Sequence, residues 1–130
     1  MLAAAGLKRA GLERRISRIF STEEMLPAAG QGVLAVQGRA DEEYAYLSGF
    51  FDADSRDTSL CERAFVAALD GGCTAPTAAF AEILPDGERI LLTGLYSDEE
   101  TGAVIRRQCT GRRTDAVHLG TQLASEVKRR

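Results

Sequence analysis

The stretch TAAFAEILPDGERILLTGLYS, residues 77–97, decides the fold of this chain. It contains two apolar runs, TAAFAEIL and ERILLTGLYS, on either side of Pro85-Asp86-Gly87. Glycine at the third position supplies the positive φ that a tight hairpin turn needs, so the pattern predicts two antiparallel strands. A third strand is predicted for AVIRRQCTG, residues 103–111, whose alternating side chains indicate a sheet with one partly solvated face.

A helix is predicted just before these strands, over DSRDTSLCERAFVAALDGG, residues 54–72. Two starts fit the pattern: Asp54 followed by Asp57, or Ser59 with Glu62 as a capping box. Gly71 is the predicted end of the helix, because glycine is favoured just past a helix C-terminus. The apolar stripe consists of Leu60, Ala64, Ala67 and Ala68, with Cys61, Phe65 and Leu69 beside it.

A second helix is predicted after the strands, over TDAVHLGTQLASEVKRR, residues 114–130. Thr114 or Asp115 is its predicted cap, and its apolar stripe is Leu119, Leu123 and Val127. The expected fold class is therefore α+β: a small two-layer domain with a three-stranded antiparallel sheet and helices packed on one face.

The first fifty residues do not form a comparable unit. MLAAAGLKRAGL predicts the tail of a buried helix that ends with Lys8, Arg9 and Gly11. A short strand is predicted at SRIFS (17–21), a loop at TEEMLPAAGQG (22–32), a buried strand at VLAVQGR (33–39) and a short helix at DEEYAYLSGFF (41–51). The polar run DADSRD (52–57) is the best candidate linker.

Size and charge limit the functional classes. The chain has 130 residues, 45% of them hydrophobic and 27% charged, which is typical of one globular domain with a packed core. Its net charge of −3 argues against a general nucleic-acid or anionic-membrane surface. Apolar runs are too short to span a membrane, and the N-terminal charge order is the reverse of a secretory signal, so we expect a cytoplasmic protein.

The three cysteines, Cys61, Cys73 and Cys109, are odd in number and widely spaced. With the single histidine, His118, they form no CxxC or CxxH pair, so we predict reduced thiols and no metal site. Cys73 follows two glycines at the end of the predicted helix. From the residues alone, the favoured interpretation of Cys73 is a buried structural cysteine, and the next is a modified or attachment cysteine. A reactive thiol is poorly supported, because a helix C-terminus disfavours the thiolate.

Two other features are less specific. Gly30 and Gly32 flank Gln31 and would let backbone amides approach a ligand closely, although a loop before a strand has the same pattern. Basic residues gather near the N-terminus and recur later, and arginine suits carboxylate ligands. These residues are Lys8, Arg9, Arg14, Arg15, Arg18, Arg39 and Arg63.

Three motifs in order, LAAAGLKRAGL, LPAAGQGVLAVQGR and ERAFVAALDGGC, resemble the C-terminal part of the porphobilinogen deaminases, also called hydroxymethylbilane synthases. The resemblance covers essentially the whole chain. It implies two periplasmic-binding-protein-like α/β domains and a small α+β third domain. Residues 1–54 would then be an incomplete segment, remnants from the end of the second domain and the returning strand and helix of the first. Residues 55–130 would be the C-terminal cofactor-attachment domain.

The resemblance also implies the chemistry. Four porphobilinogen molecules are polymerised with loss of ammonia onto a dipyrromethane cofactor, which Cys73 holds through a thioether. By the same match, Arg39 and Arg63 bind the cofactor, and Arg9, Gln31 and Gly32 bind the substrate. The acid/base aspartate of the family lies in its N-terminal part, which is absent, so no catalytic residue is assigned. We expect this chain alone to be inactive and to lack the cofactor.

The implied partners are porphobilinogen and the missing N-terminal domains, with no nucleic acid or membrane. Self-association is expected through apolar side chains that those domains would cover: Leu2, Leu7, Leu34 and Val36. One departure from the family is Gln37, which stands where an acidic residue is common. Two alternatives remain: a non-catalytic interaction module derived from this fold, and a thiol-redox protein that pairs Cys61 or Cys109 with Cys73.

Overall fold

The structure is a computed structural model that describes residues 2–69, 76–98 and 101–129. Its helices are α1 (Ala4–Arg9), α2 (Ala53–Ala68) and α3 (Ala116–Lys128). Its strands are β1 (Thr77–Ile83), β2 (Arg89–Ser97) and β3 (Val104–Arg112). Short 3-10 turns occupy Glu13–Arg15, Ala45–Phe50 and Arg113–Asp115. The α+β class predicted from the sequence is confirmed.

The three strands form one antiparallel sheet in the order β1-β2-β3. The hairpin between β1 and β2 turns where the sequence predicted it. Gly87 has a φ of 71°, and its N–H donates to the Leu84 carbonyl at 2.9 Å. The Asp86 carboxylate accepts from the N–H groups of Glu88 and Arg89 at 2.9 and 3.1 Å, so the turn satisfies its own backbone donors.

Both long helices pack on the same face of the sheet. A side chain at Gly94 of β2 would collide with Phe65 of α2 and press on Leu123 of α3, so glycine there lets both helices approach. At Gly120 the backbone of α3 lies directly against the backbone of α2 near Cys61. The largest fully buried side chains lie between these layers: Phe65, Ile90, Leu92, Leu123, Val127 and Cys61.

The start of α2 differs from both predicted caps. Asp52 precedes the helix and its carboxylate accepts from the Ser55 N–H at 2.6 Å. Asp54 and Asp57 instead accept from the Arg113 guanidinium at 2.7 and 2.9 Å, across the interface with the sheet. A sequence pattern shows which acids are near a helix start, but the partner that selects among them comes from a distant part of the chain.

The buried stripe of α2 is also shifted. Leu60 is 40% exposed, whereas Cys61 and Phe65 are fully buried and Leu69 nearly so. In α3 the predicted stripe of Leu119, Leu123 and Val127 is confirmed. Asp115 occupies its N-cap position, but its side chain makes no capping hydrogen bond. The predicted end of α2 at Gly71 lies outside the described residues.

The N-terminal segment departs most from expectation. α1 forms and is followed by Gly11 with a φ of 69°, as predicted, but it is not buried. The strands predicted over 17–21 and 33–39 are wrong: neither segment pairs with a strand, and every residue of both is exposed. The helix predicted over 41–51 is reduced to the 3-10 turn Ala45–Phe50. A strand needs a neighbour for its backbone groups, and no described residue provides one here.

Candidate cofactor and substrate site

The loop around Gln31 is built from two consecutive tight turns. The Gln31 N–H donates to the Ala28 carbonyl at 3.0 Å, and the Val33 N–H donates to the Gly30 carbonyl at 3.2 Å. Gly30 and Gly32 have φ values of 73° and 88°, a region that other residues rarely adopt. The turns leave the Gln31 side chain exposed, where its amide can both donate and accept.

This loop is joined to the edge of the sheet. The Ala79 N–H on the outer side of β1 donates to the Pro27 carbonyl at 3.2 Å, and Ala29 packs against the core. Further along the sheet, the Arg106 guanidinium of β3 donates to the carbonyls of Glu23 and Thr22 at 2.6 and 3.3 Å. The segment 22–30 therefore touches the domain formed by α2, α3 and the sheet at separate points.

The strongest link is the buried carboxylate of Glu62 on α2. One oxygen accepts from the Gly30 N–H at 2.7 Å and the other accepts from the Ala81 N–H of β1 at 2.8 Å. Glu62 is only 6% exposed. Burial raises its pKa above the ordinary value for a glutamate, while the two backbone hydrogen bonds oppose that shift.

Sequence reasoning missed this role, since it treated Glu62 only as a possible capping-box partner. The signal was present in the helix pattern. Glu62 lies next to Cys61 and three residues before Phe65, which are both fully buried, so an acidic side chain sits at the edge of the buried stripe. A buried carboxylate must find donors, and the sequence does not say which.

The structure places the predicted arginines apart from this link. Arg63 is exposed on α2, directly after Glu62, and Arg9 is exposed in the last turn of α1. Arg39 is exposed and pairs with Glu42 at 3.4 Å, while its backbone N–H donates to the Tyr44 hydroxyl at 2.7 Å. Within the part of the chain described here, no hydrogen bond or ion pair joins Arg9 or Arg39 to α2.

A groove of about 560 Å³ opens between residues 32–36, residues 47–51 and the first turns of α2. Its lining is mainly apolar, with Leu34, Val36, Phe50 and Phe51 among the contributing side chains. Gly32 is the one predicted site residue in its lining within the described ranges. Because the predicted arginines do not line it, the groove does not gather the carboxylate-binding residues of the candidate site.

Cys73 lies outside the described residues. Of the other thiols, Cys61 is fully buried, and burial raises its pKa to about 12. Burial likewise raises the pKa of Cys109 to about 11. Such thiols carry almost no thiolate at neutral pH and are poor nucleophiles, which argues against the thiol-redox alternative.

Two further features concern metals and membranes. Over residues 2–69, 76–98 and 101–129, no three His, Cys, Asp or Glu side chains gather as a metal-binding group. The same residues include no helix with the length and apolar character that crossing a bilayer requires.

Two family models match the chain in succession. Residues 57–129 match the model described as porphobilinogen deaminase, C-terminal domain. Residues 1–46 match the model described as porphobilinogen deaminase, dipyromethane cofactor binding domain. The first match alone covers more than half of the chain.

The chain belongs to the porphobilinogen deaminase family.

Curated porphobilinogen deaminases are similar to it over nearly its whole length. The protein from Ruminiclostridium josui is 49% identical over 129 residues, which cover 98% of this chain and 43% of the relative. The protein from Acetivibrio thermocellus is 50% identical over 126 residues, covering 97% of this chain and 42% of the relative. The protein from Alkaliphilus oremlandii is 47% identical over 127 residues, which cover 98% of this chain and 42% of the relative.

The chain thus spans about two fifths of the length of the curated porphobilinogen deaminases it matches. The resemblance read from the three motifs is confirmed at the level of the family. Nothing in these matches supports the non-catalytic interaction module over an enzyme-derived protein.

Proposed function

We propose that this chain is the C-terminal part of a hydroxymethylbilane synthase, which polymerises four porphobilinogen molecules with release of ammonia in tetrapyrrole biosynthesis. The observation that carries the proposal is the pair of family-model matches, in order, over residues 1–46 and 57–129. The alignment with relatives named porphobilinogen deaminase supports it, because identity of about half extends over both matches.

We propose the same site residues that the motifs indicated. Cys73 would hold dipyrromethane, with Arg39 and Arg63 as its cofactor-binding residues. Arg9, Gln31 and Gly32 would bind substrate. The donor set supports this assignment, since the cofactor's acetate and propionate groups are carboxylates and exposed guanidinium groups are suited to them. When bound, the cofactor supplies the terminal pyrrole to which each new ring is joined.

Arg63 and Arg39 differ in what they must give up to bind a carboxylate. No ion pair holds Arg63 among the described residues, and its guanidinium is exposed on α2. Arg39 must exchange its contact with Glu42, a partner held at 3.4 Å on the surface. A surface pair of this kind contributes little, about 0–1 kcal/mol, so the exchange for a cofactor carboxylate is not costly.

The domain division at residues 54 and 55 remains a proposal. Its support is that the two family-model matches leave residues 47–56 between them. We propose that the 130 residues need the N-terminal domains of the same enzyme as a partner. They are expected not to turn over porphobilinogen alone, because the family's acid/base aspartate has no counterpart assigned here.

The decisive experiment is an intact-mass measurement after coexpression with the unmatched N-terminal part of the Ruminiclostridium josui relative. The parent chain should gain the mass of two pyrrole units, and Cys73→Ser should gain none. Cys109→Ser is the matched control, since it removes a half-buried thiol and should leave the gain intact.

The outcomes separate the candidates. A gain on Cys73→Ser would overturn the assignment of the attachment residue. If the two parts copurify and no variant gains mass, the chain remains a family member, but the non-catalytic module becomes the better account of its function.

We also propose that the separate chain self-associates. Leu34 and Val36 are 88% and 69% exposed, and Leu2 is 77% exposed. Exposed apolar patches of this kind drive association when nothing covers them. Sedimentation at increasing concentration should show a rising mass for the parent and a smaller rise for Leu34→Lys. A monodisperse monomer throughout would contradict the proposal.

A cytoplasmic location is the last proposal of this group. Its support is the sequence argument from odd, widely spaced cysteines, together with free thiols at Cys61 and Cys109. Fractionation of cells that produce the natural protein tests it directly, and recovery in a secreted fraction would contradict it.

A further inference from the structure

One of the contacts that join the two matched parts of the chain uses a buried carboxylate. Glu62 lies on α2, within the C-terminal match, whereas Gly30 lies within the N-terminal match. Their hydrogen bond, at 2.7 Å, spans 32 residues of sequence and involves a carboxylate that is nearly inaccessible to solvent. The second oxygen of the same carboxylate is already engaged with the Ala81 N–H at 2.8 Å.

Both oxygens therefore act as acceptors for backbone N–H groups. A carboxyl group can present both oxygens as acceptors, whereas an amide would turn an NH₂ group toward one of the N–H donors. A buried charge with a single partner would be costly, but hydrogen bonds to charged groups are about twice as strong as neutral ones. The carboxylate thus satisfies the outward Ala81 N–H on the free edge of β1 and the Gly30 N–H of the loop together.

Two hydrogen bonds hold the loop that contains Pro27 and Gly30, one to β1 and one to α2. Pro27 accepts from Ala79, and three residues later Gly30 donates to Glu62. Ala79 and Ala81 both belong to β1, so the loop is held beside that strand, directly at Ala79 and through the Glu62 carboxylate at Ala81. The exposed Gln31 follows immediately, and its backbone position is fixed by the Gly30 contact.

We propose that Glu62 is a positioning residue that fixes the Gly30-Gln31-Gly32 loop relative to α2. This inference rests on the proposed function, in which Gln31 and Gly32 bind substrate. α2 carries Arg63 next to Glu62 and leads into residues 70–75, which include Cys73. The helix that holds the Gly30 loop thus also carries Arg63, one of the proposed cofactor-binding residues.

Backbone amide exchange on the 130-residue chain tests the contact without any appeal to activity. In Glu62→Gln, exchange of the Gly30 N–H should become about tenfold faster, because the single remaining acceptor stays with the more rigid strand at Ala81. The Leu92 amide of the central strand reports global opening and should change much less. Glu82→Gln is the matched control, with the same chemical change at an exposed residue of β1.

Unchanged exchange at Gly30 in a folded Glu62→Gln chain would overturn the proposal. If that variant does not fold, as shown by lost protection at Leu92, Glu62→Asp takes its place. Aspartate keeps the charge but is one methylene shorter, so it cannot reach both donors. The same acceleration at Gly30 is expected there, and its absence has the same meaning.

A kinetic experiment then tests the consequence for binding. The complex with the Ruminiclostridium josui N-terminal part is prepared with parent, Glu62→Gln and Glu82→Gln chains. Glu62→Gln should still acquire the two-pyrrole mass, with KM for porphobilinogen raised about tenfold and kcat less affected, because the loop contacts bound substrate. Glu82→Gln should match the parent.

Different results would contradict the proposed function and the role of Glu62. A parent complex without mass gain or turnover would overturn the proposed function, while the exchange result would still decide whether Glu62 fixes the loop. Faster Gly30 exchange with an unchanged KM, or loss of the mass gain in Glu62→Gln alone, would overturn the positioning role.

Discussion

The two parts of this molecule use similar side chains with opposite results. From Cys61 onward, the apolar residues of α2, α3 and the sheet form a core in which Phe65, Ile90, Leu92 and Leu123 are fully buried. Between residues 2 and 60, no residue is buried. Among the described residues, eleven of the fourteen large exposed hydrophobics precede Asp52.

The difference shows that apolar content does not create a core without partners. The runs VLAV at 33–36 and FF at 50–51 are as apolar as the strands of the sheet, yet Leu34 and Phe50 are 88% and 79% exposed. In the C-terminal part, β2 pairs with both β1 and β3, and the two long helices pack on one face of this sheet. The N-terminal part attaches to this domain through segment 22–30, at the edge of β1 and at Arg106 of β3, and its large apolar side chains stay mostly exposed.

The largest expected effect tests whether the core is really confined to the C-terminal part. Phe65→Ala should lower the free energy of unfolding by about 3–5 kcal/mol, because it leaves a cavity under Gly94 and Leu123. Phe50→Ala removes the same ring from an exposed position and should change it by no more than about 0.5 kcal/mol. Chemical denaturation measures both. Equal losses would show that the N-terminal part shares the core.

An intermediate loss of stability is expected for Gly120→Ala in α3, and none for the same substitution at Gly6 in α1. In Gly120→Ala the new methyl group meets the α2 backbone at Cys61 and Phe65, which cannot rotate away, so a loss of about 1–3 kcal/mol is expected. In Gly6→Ala nothing lies within 4 Å, and α1 should gain helicity. Thermal unfolding followed by circular dichroism distinguishes the two. A destabilised Gly6→Ala chain would mean that α1 is packed after all.

The smallest effect lies at the border between the two parts and depends on pH. Hydrogen bonds from Ser55, through its hydroxyl and its backbone N–H, lower the pKa of Asp52. The stabilisation from this cap should be present above the ordinary aspartate pKa and be lost as the pH falls through the lower folded value.

Unfolding midpoints of parent, Asp52→Ala and Asp52→Asn across that range provide the test. The difference in unfolding midpoint between the parent and Asp52→Ala should become smaller as the pH is lowered. Asparagine caps helices without titrating, so the gap between Asp52→Asn and Asp52→Ala should persist. If the midpoint difference between the parent and Asp52→Ala does not depend on pH, the Asp52 charge does not stabilise the start of α2.

Local chemistry explains which elements could be predicted. The hairpin followed from Pro85-Asp86-Gly87, and the buried face of α3 followed from the spacing of Leu119, Leu123 and Val127. Both patterns are complete within a few residues. The cap of α2 was missed because Arg113, far along the chain, recruits Asp54 and Asp57 and leaves the capping role to Asp52.

The residues of the candidate site also fall into those that the sequence predicted and one that it did not. The motifs with Cys73, Arg39, Arg63, Arg9 and Gln31 were sufficient to recognise the family, since residue identity and order are properties of the sequence. Glu62 could not be assigned from them. Its two N–H partners come from a loop and a strand that only folding brings to the same side of α2.

By itself, the sequence determined the α+β class, the hairpin, the helix faces in part and the family, because turn chemistry, periodicity and ordered motifs are local. Only the tertiary structure decided that residues 33–39 form no strand, that Asp52 caps α2 and that Glu62 holds the Gly30 loop to β1. Each of these depends on which backbone groups find a partner in space, and that is settled by the packing of distant segments rather than by their own residues.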